Sequence, residues 1–205
     1  MKKIIFLGSG GGGNLKFIHE YSKFYDDFFK VVSVITDRNC GANQYAIREE
    51  IPCQIMSFKR EEEDDRLLIE LIHNYKPDYI ISNVHKILSE RIVSEFRGKL
   101  LNLHYSYLPA FGGHIGMNPV KQAIKMNNLF IGCTMHFVDE EVDAGNSIAQ
   151  GIIIYKESKD IFQSVFESGA ITLLSGLYKV SGFENMNFKN FNEYIISPFS
   201  TKLDI

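Results

Sequence analysis

The first half of this 205-residue chain alternates short β-type runs with amphipathic helical segments. Such alternation is typical of a parallel sheet with helices on both faces, because consecutive parallel strands need a long, usually helical, crossover. The pattern therefore predicts an α/β, Rossmann-like, mostly parallel twisted sheet. We expect strands at 3–7, 31–35, 79–82 and 100–104, and helices at 14–25, 44–50 and 61–75.

The pattern changes after His104. A loop rich in glycine and proline is expected at 105–116, followed by a helix at 119–126. Two strand-like runs, 131–138 and 147–155, predict a hairpin-like pair that extends the sheet, and helical periodicity returns at 161–180. No interdomain linker is evident, so we expect a single domain over 1–205, in which the segment 181–205 suggests no role.

Charge and hydropathy restrict which partners and which cellular compartment are expected for the protein. Lys and Arg number 22 against 25 Asp and Glu, a formal net charge of −3, which disfavours a nucleic-acid clamp because such a protein needs a strongly basic surface. The apolar run from Ile4 to Leu7 is too short for a signal peptide, and no window reaches the roughly 18 apolar residues of a membrane span. The three cysteines show no paired spacing. We expect a cytoplasmic protein without nucleic-acid or membrane partners, whose oligomeric state is open, with a homodimer as one option.

A run of five glycines in six positions follows the first predicted strand, from Gly8 to Gly13. Glycines let backbone N–H groups close on an anion, and the N-terminus of the following helix adds favourable partial charge. We interpret the run as a phosphate cradle. Two alternatives stay open: a tight turn that binds nothing, and a dinucleotide fingerprint in which Gly8, Gly10 and Gly13 match GxGxxG and Asp37 binds a ribose.

Asn102 and His104 end the fourth predicted strand with their side chains on the same face, because side chains alternate along a strand. Open α/β sheets bind their ligands at this carboxyl edge. Farther along, Asp143 lies in a polar turn between Val142 and Ala144. A carboxylate beside an imidazole raises the histidine pKa and fixes its tautomer, as acid–base catalysis requires.

These elements, in this order, resemble the folate-dependent formyltransferases. The resemblance rests on the glycine-rich loop, then Asn102-Leu103-His104 with Ser106-Tyr107-Leu108-Pro109, then residues 132–139, and then Asp143-Ala144-Gly145. It covers about residues 3–155 and is strongest toward members that formylate glycinamide ribonucleotide in purine biosynthesis. It implies the formyltransferase fold, with a phosphate-binding half at 1–100 and a catalytic and folate-binding half at 101–205.

The resemblance also implies roles for single residues. The co-substrate would be 10-formyltetrahydrofolate and the acceptor a primary amine, with no metal and no covalent enzyme intermediate, so Cys133 is interpreted as strand packing. In the implied mechanism Asn102 and a protonated His104 stabilise the oxyanion, and Asp143 keeps His104 charged. The implied catalytic residues are Asn102, His104 and Asp143; the implied acceptor-binding residues are Gly12, Gly13, Asn14, Arg60 and Glu167; the implied folate-binding residues are His85, Lys86, Ile87, Leu88, His136 and Asp139.

Two departures from the family pattern concern the acceptor. Tyr105 follows the histidine where the family usually has proline, and Glu167 can take the role of an acceptor-reading acid only after a shift of register. A nucleotide-amino-sugar N-formyltransferase of surface-polysaccharide synthesis therefore remains an alternative. An NAD(P)-dependent dehydrogenase and a catalytically silent paralogue are further alternatives, whereas a methionyl-tRNA formyltransferase would need an additional RNA-contacting domain and a basic surface.

Overall fold

The computed structural model describes residues 1–25, 28–155 and 160–183, which form one seven-stranded sheet flanked by helices. The strands are β1 (Lys2–Gly8), β2 (Phe29–Thr36), β3 (Cys53–Ile55), β4 (Tyr79–Asn83), β5 (Leu100–His104), β6 (Phe130–Phe137) and β7 (Ser147–Ile154). The helices are α1 (Gly13–Tyr25), α2 (Gly41–Arg48), α3 (Glu62–Tyr75), α4 (Glu90–Glu95), α5 (Asn118–Lys125) and α6 (Ile161–Val180).

The strand order is β3-β2-β1-β4-β5-β6-β7. The first five of these strands pair in parallel, and β6 and β7 join antiparallel as the predicted hairpin-like extension. The mostly parallel α/β fold is therefore confirmed. Because β1 pairs with β2 on one side and with β4 on the other, the crossovers diverge at β1, and a ligand crevice is expected at the carboxyl ends of β1 and β4.

Strand alternation divides the apolar side chains of β1 between two cores. Ile4 and Phe6 face α1, α2 and α6 in one core, whereas Ile5 and Leu7 face α3 and α4 in the other. A strand that is buried on both faces is nearly continuous in hydrophobicity, as β1 is. Helices therefore cover both faces of β1, and its carboxyl end is left to the loop that follows the strand.

Two elements were not predicted, β3 and α4. β3 has three residues, all partly or fully exposed, and α4 has six residues, so neither is long enough to show a period. The boundaries of α6 match the prediction, whereas 184–205 of the final segment lie outside the described residues. Among the described helices, none combines the length and apolar character that a membrane crossing requires.

Candidate active site

A cavity of about 370 Å³ opens at the carboxyl edge of the sheet. Its walls come from the glycine-rich loop after β1, the segment 82–88 at the end of β4, the end of β5, the loop 113–116, the segment 136–143 at the end of β6, and one side chain of α6. This is the crevice that the strand order predicts, because the chain leaves neighbouring strands in opposite directions there.

His104 and Asp143 meet in this cavity. Nδ1 of His104, the last residue of β5, lies 3.3 Å from Oδ2 of Asp143 in the loop after β6, and both side chains are buried. Asp143 has a φ of +56°, a left-handed conformation that aspartate tolerates better than most residues. The end of β6 lies beside the start of β5, with Phe137 opposite Leu101, so it is the loop after β6 that folds back over the sheet face and brings Asp143 to His104.

The loop after β5 contacts both members of this pair. Nε2 of His104 lies 3.0 Å from the carbonyl oxygen of Phe111, and the backbone N–H of Gly113 donates to Oδ2 of Asp143 at 2.7 Å. Both ring nitrogens of His104 thus face an acceptor. A neutral imidazole carries one proton and satisfies one of them, whereas the imidazolium satisfies both.

Burial and polar contacts have opposite effects on the pKa values of His104 and Asp143. Burial lowers the pKa of His104, and the Asp143 carboxylate and the Phe111 carbonyl, which raise it, do not fully compensate. Burial raises the pKa of Asp143, but His136, the Gly113 N–H and His104 outweigh it and hold that pKa below its usual range. The lowered pKa of His104 favours a neutral ring at rest, and the lowered pKa of Asp143 favours its ionised form beside it. The protonated His104 that the resemblance implies for the oxyanion stage stays a prediction.

Asn102 lies on the same face of β5 as His104, as strand alternation predicts. Its Nδ2 lies 3.2 Å from Nε2 of His136, which stands opposite it on β6. Nε2 of His136 also lies 3.5 Å from Oδ1 of Asp143. The amide, the two imidazoles and the carboxylate thus form one connected polar cluster in the cavity wall.

The glycine-rich loop forms the opposite end of the cavity. Within the described residues, the backbone N–H groups of Gly11, Gly12, Gly13 and Asn14 find no protein acceptor. They surround the N-terminus of α1, where the helix dipole favours an anion. This arrangement can bind a phosphate group.

Phe166 of α6 packs directly against this loop. A Cβ added to Gly13 would lie 2.5 Å from Cε2 of Phe166, so any other residue there would have to displace the Phe166 ring. Phe166 lines the cavity, whereas Glu167 does not, and the Glu167 carboxylate accepts a hydrogen bond from Gln163 one turn earlier. Neighbouring residues of a helix point about 100° apart, so a helix that turns Phe166 toward the cavity turns Glu167 away from it. The acceptor contact predicted for Glu167 is therefore replaced by one with Phe166.

Tyr105 lies beside the same end of the cavity. Its ring fills a notch at Gly169 of α6, where a Cβ would lie 2.7 Å from Cε1 of Tyr105. Its hydroxyl lies 3.4 Å from Oδ1 of Asn14, and burial raises the pKa of Tyr105 to about 12. Tyr105, one of the two departures noted in the sequence, therefore packs against α6 two residues beyond the other, Glu167.

The segment after β4 lines the middle of the cavity. His85 lies beside the glycine-rich loop, with its backbone N–H donating to Oγ of Ser9 at 3.1 Å. Ile87 is 57% exposed although it lines the cavity, so an apolar surface is available to a ligand there. The predicted residues that line the cavity are Gly12, Gly13, Asn14, Arg60, His85, Lys86, Ile87, Leu88, Asn102, His104, His136, Asp139 and Asp143.

Two further residues considered in the sequence have other partners. Asp37 pairs with Arg38 at 2.6 Å, so the carboxylate that a dinucleotide would need is already bound. The Cys133 thiol is buried beside the Thr172 and Ser168 hydroxyls, and burial raises its pKa. That environment suits packing and not nucleophilic attack.

Sequence patterns gave no signal for Phe111, Gly113 or Phe166. Phe111 and Gly113 act through backbone groups, which any residue type supplies, although their φ values of +57° and +78° mark an unusual loop conformation. Phe166 lies in an apolar helix, where its pattern resembles that of a core residue. Their roles depend on tertiary placement.

The fold and the site place a histidine–aspartate pair, an amide donor and an anion-binding loop in one cavity, and these are groups that acid–base catalysis can use. The chain belongs to the formyl transferase family, whose sequence profile matches residues 2–173. The earlier resemblance is thereby confirmed.

Individual relatives agree with this assignment. The chloroplastic phosphoribosylglycinamide formyltransferase of Vigna unguiculata is 34% identical over 160 residues, covering 74% of this chain and 51% of that protein. The formyltetrahydrofolate deformylase of Haemophilus influenzae is 38% identical over 125 residues, covering 60% of this chain and 44% of that protein. The chain spans about half the length of these curated relatives.

Solved structures give the same fold. Glycinamide ribonucleotide transformylase 1 from Symbiobacterium toebii has a TM-score of 0.79 and 25% identity, with 89% of each chain covered. Phosphoribosylglycinamide formyltransferase from Bacillus halodurans has a TM-score of 0.78 and 25% identity, covering 91% of this chain and 100% of that one.

Proposed function

We propose that this chain transfers the formyl group of 10-formyltetrahydrofolate to the primary amine of a phosphorylated small molecule, glycinamide ribonucleotide in purine biosynthesis being the favoured acceptor. The observation that carries the proposal is the His104–Asp143 pair, 3.3 Å apart, beside Asn102 in a cavity that also contains the glycine-rich loop. The names of the Vigna unguiculata relative and of the two solved structures support the same acceptor.

The chemistry assigns a task to each polar group. The amine nitrogen attacks the formyl carbon and a C–N bond forms, while the carbonyl oxygen becomes an oxyanion that the Asn102 amide stabilises. Neutral His104 accepts the proton that the amine loses, and ionised Asp143 stabilises the resulting imidazolium. The bond from the formyl carbon to N10 of the folate then breaks, and N10 receives a proton from the His104 imidazolium, directly or through water.

The backbone N–H groups from Gly11 to Asn14, which have no protein acceptor in the part of the chain that the structure describes, suit the acceptor's phosphate. The segment from His85 to Leu88, together with His136 and Asp139, is proposed to contact the folate. Arg60 lines the cavity and is exposed, so its guanidinium is available to an anionic group of either substrate. The reaction needs no metal in this scheme, because acid–base chemistry and hydrogen bonding supply each step.

The setting of the enzyme is part of the proposal. We propose one domain over 1–205 that acts in the cytoplasm without nucleic-acid or membrane partners. The net charge of −3 supports the absence of a nucleic-acid partner. Free thiols at Cys40, Cys53 and Cys133 favour a reducing compartment.

A second candidate is hydrolysis of the formyl donor, with water in place of the amine. It is favoured by the 38% identity to the Haemophilus influenzae deformylase. It is also favoured by α6, which presents the apolar ring of Phe166 and not the Glu167 carboxylate to the acceptor end of the cavity. The same His104 that accepts a proton from an amine can accept one from water.

The test is tetrahydrofolate release, followed by ultraviolet absorbance, in parallel reactions that contain 10-formyltetrahydrofolate. One reaction receives glycinamide ribonucleotide, one a nucleotide-linked amino sugar, and one no amine. Release that depends on glycinamide ribonucleotide supports the proposal. Release only with the amino sugar reassigns the acceptor, equal release without any amine establishes the deformylase, and no release in any reaction rejects both candidates.

A further inference from the structure

Asn102 and His136 form a directly opposed cross-strand pair. In the antiparallel pairing of β5 with β6, Asn102 stands opposite His136, so both side chains lie on the same face of the sheet. His136 is 2% exposed, although it contributes to the cavity wall. A side chain this deeply buried offers a ligand little surface, so its main contacts are with the protein.

The neighbours of the His136 ring define its tautomer. Nδ1 lies 2.8 Å from the carbonyl oxygen of Phe137, and because a carbonyl oxygen only accepts, the proton is on Nδ1. Nε2 lies 3.2 Å from Nδ2 of Asn102 and 3.5 Å from Oδ1 of Asp143, so the amide is the nearer partner, and a ring nitrogen that carries no proton can bond only to a donor such as this amide. A neutral ring with its proton on Nδ1 therefore accepts an N–H from Asn102.

We propose that His136 is a positioning residue that acts through Asn102. One amide N–H of Asn102 donates to Nε2 of His136, and this bond prevents the amide from rotating its oxygen into the same place. The second N–H of Nδ2 is thereby held in the cavity for the formyl oxygen. The inference rests on the proposed function, and it changes the predicted role of His136 from folate contact to orientation of the oxyanion donor.

The first test needs no activity. Nitrogen NMR of the protein with ¹⁵N-labelled histidine rings at pH 7.5 is expected to show His136 with a protonated Nδ1 and an unprotonated, hydrogen-bonded Nε2. In Asn102→Ala the Nε2 resonance should move toward that of a free ring nitrogen. A proton on Nε2, or a resonance that Asn102→Ala does not move, would overturn the inference even if the protein transferred no formyl group.

The second test is a double-mutant cycle on turnover. His136→Ala should lower kcat by roughly 10- to 100-fold with little change in the KM for the donor, since loss of an oxyanion donor costs on the order of 10²–10³. If His136 acts through Asn102, the double variant should be no slower than Asn102→Ala within about threefold, because interacting residues are not additive. Multiplicative losses would show that His136 acts independently.

His136→Gln protects the test against a folding defect. Its Oε1 can accept the same N–H, so this variant should recover most of the turnover that His136→Ala loses. His73→Ala removes an exposed imidazole on α3 and serves as the matched control, with unchanged kcat expected. A His136→Gln variant that folds but is as slow as His136→Ala would contradict the proposed hydrogen bond.

Discussion

Oδ2 of Asp143 lies 3.3 Å from Nδ1 of His104, although one residue belongs to a loop and the other ends a strand. The loop after β6 accounts for this approach, because β6 ends opposite Leu101 at the start of β5 and the loop then folds back toward His104. Burial disfavours charge on His104 in the resting enzyme, while Asp143 is placed to stabilise that charge once a proton arrives.

Replacement of His104 removes the proposed proton acceptor. We expect His104→Ala to lower kcat/KM by about 10²–10⁴-fold, the range for loss of a general acid–base group. The change should leave the circular dichroism spectrum intact, because the ring lies at the cavity and not within either apolar core. Turnover within a few-fold of wild type, measured beside His73→Ala, would remove His104 from the mechanism.

Asp143→Asn removes the charge but keeps the size of the side chain. Because Asp143 raises the pKa of His104, its loss should lower that pKa further and shift the acidic limb of the pH profile of kcat/KM to lower pH. Turnover on the plateau should fall by about 10²-fold or more, since the imidazolium loses its counter-ion. An unshifted acidic limb would indicate that the two groups do not interact.

The lowered pKa of His104 also predicts how stability depends on pH. In the unfolded chain His104 has the ordinary pKa of 6.5, so as the pH falls through this value the unfolded chain takes up a proton that the folded chain resists. The free energy of unfolding therefore decreases as the pH falls. The melting temperature should therefore drop between pH 7.5 and pH 5.5, and drop less in His104→Gln. Burial also lowers the pKa of His19, which should add a second contribution to the pH dependence. If the melting temperature of a variant with both histidines replaced by glutamine depended on pH as steeply as that of the wild type, the two histidines would not be the cause.

The contact between Gly13 and Phe166 predicts a repairable defect. Gly13→Ala would place a methyl 2.5 Å from the Phe166 ring and push it from the loop, which should raise the KM for the phosphorylated acceptor more than the KM for the folate. Phe166→Leu in the same chain should restore much of the acceptor KM, because a smaller side chain gives the methyl room. Equal increases in both KM values would point to a purely structural glycine.

The contact between Gly169 and Tyr105 predicts that Gly169→Ala destabilises the wild-type protein but stabilises a variant that lacks the Tyr105 ring. In a helix interior Gly→Ala usually stabilises by up to about 1 kcal/mol, but overpacking costs about 1–3 kcal/mol. With Tyr105 Cε1 only 2.7 Å from the new methyl, Gly169→Ala should lower the free energy of unfolding. In a Tyr105→Val background the same substitution should raise the free energy of unfolding, as denaturant titration can measure. A lower free energy of unfolding in both backgrounds would contradict the proposed steric conflict between residue 169 and the Tyr105 ring.

Local sequence pattern accounts for most of the fold. The β1 run is apolar on both faces and α6 has a long helical period, so both elements could be predicted within a few residues. β3 and α4 could not, because three or six residues are too few for a periodic signal. Pairing of β6 beside β5 could be expected only as an extension of the sheet, since strand order depends on tertiary contacts.

The site was predictable where chemistry depends on side-chain type. Asn102, His104 and Asp143 carry groups with few structural uses at the edge of a sheet, and all three line the cavity. Glu167 shows the limit, because a one-residue error in helical register turns a side chain by about 100° and exchanges it for Phe166. The charge state of His104 also needed the structure, since burial outweighs the effect of Asp143.

The most direct measurement follows the formyl carbon itself. Wild-type protein is mixed with 10-formyltetrahydrofolate labelled with ¹³C in the formyl group and with glycinamide ribonucleotide, and the reaction is observed by ¹³C NMR beside His104→Ala. We predict that the label moves from the folate to a formamide on the ribonucleotide, and that it stays on the folate with His104→Ala. Label that appears as free formate at the same rate with and without the amine would contradict transfer to an acceptor.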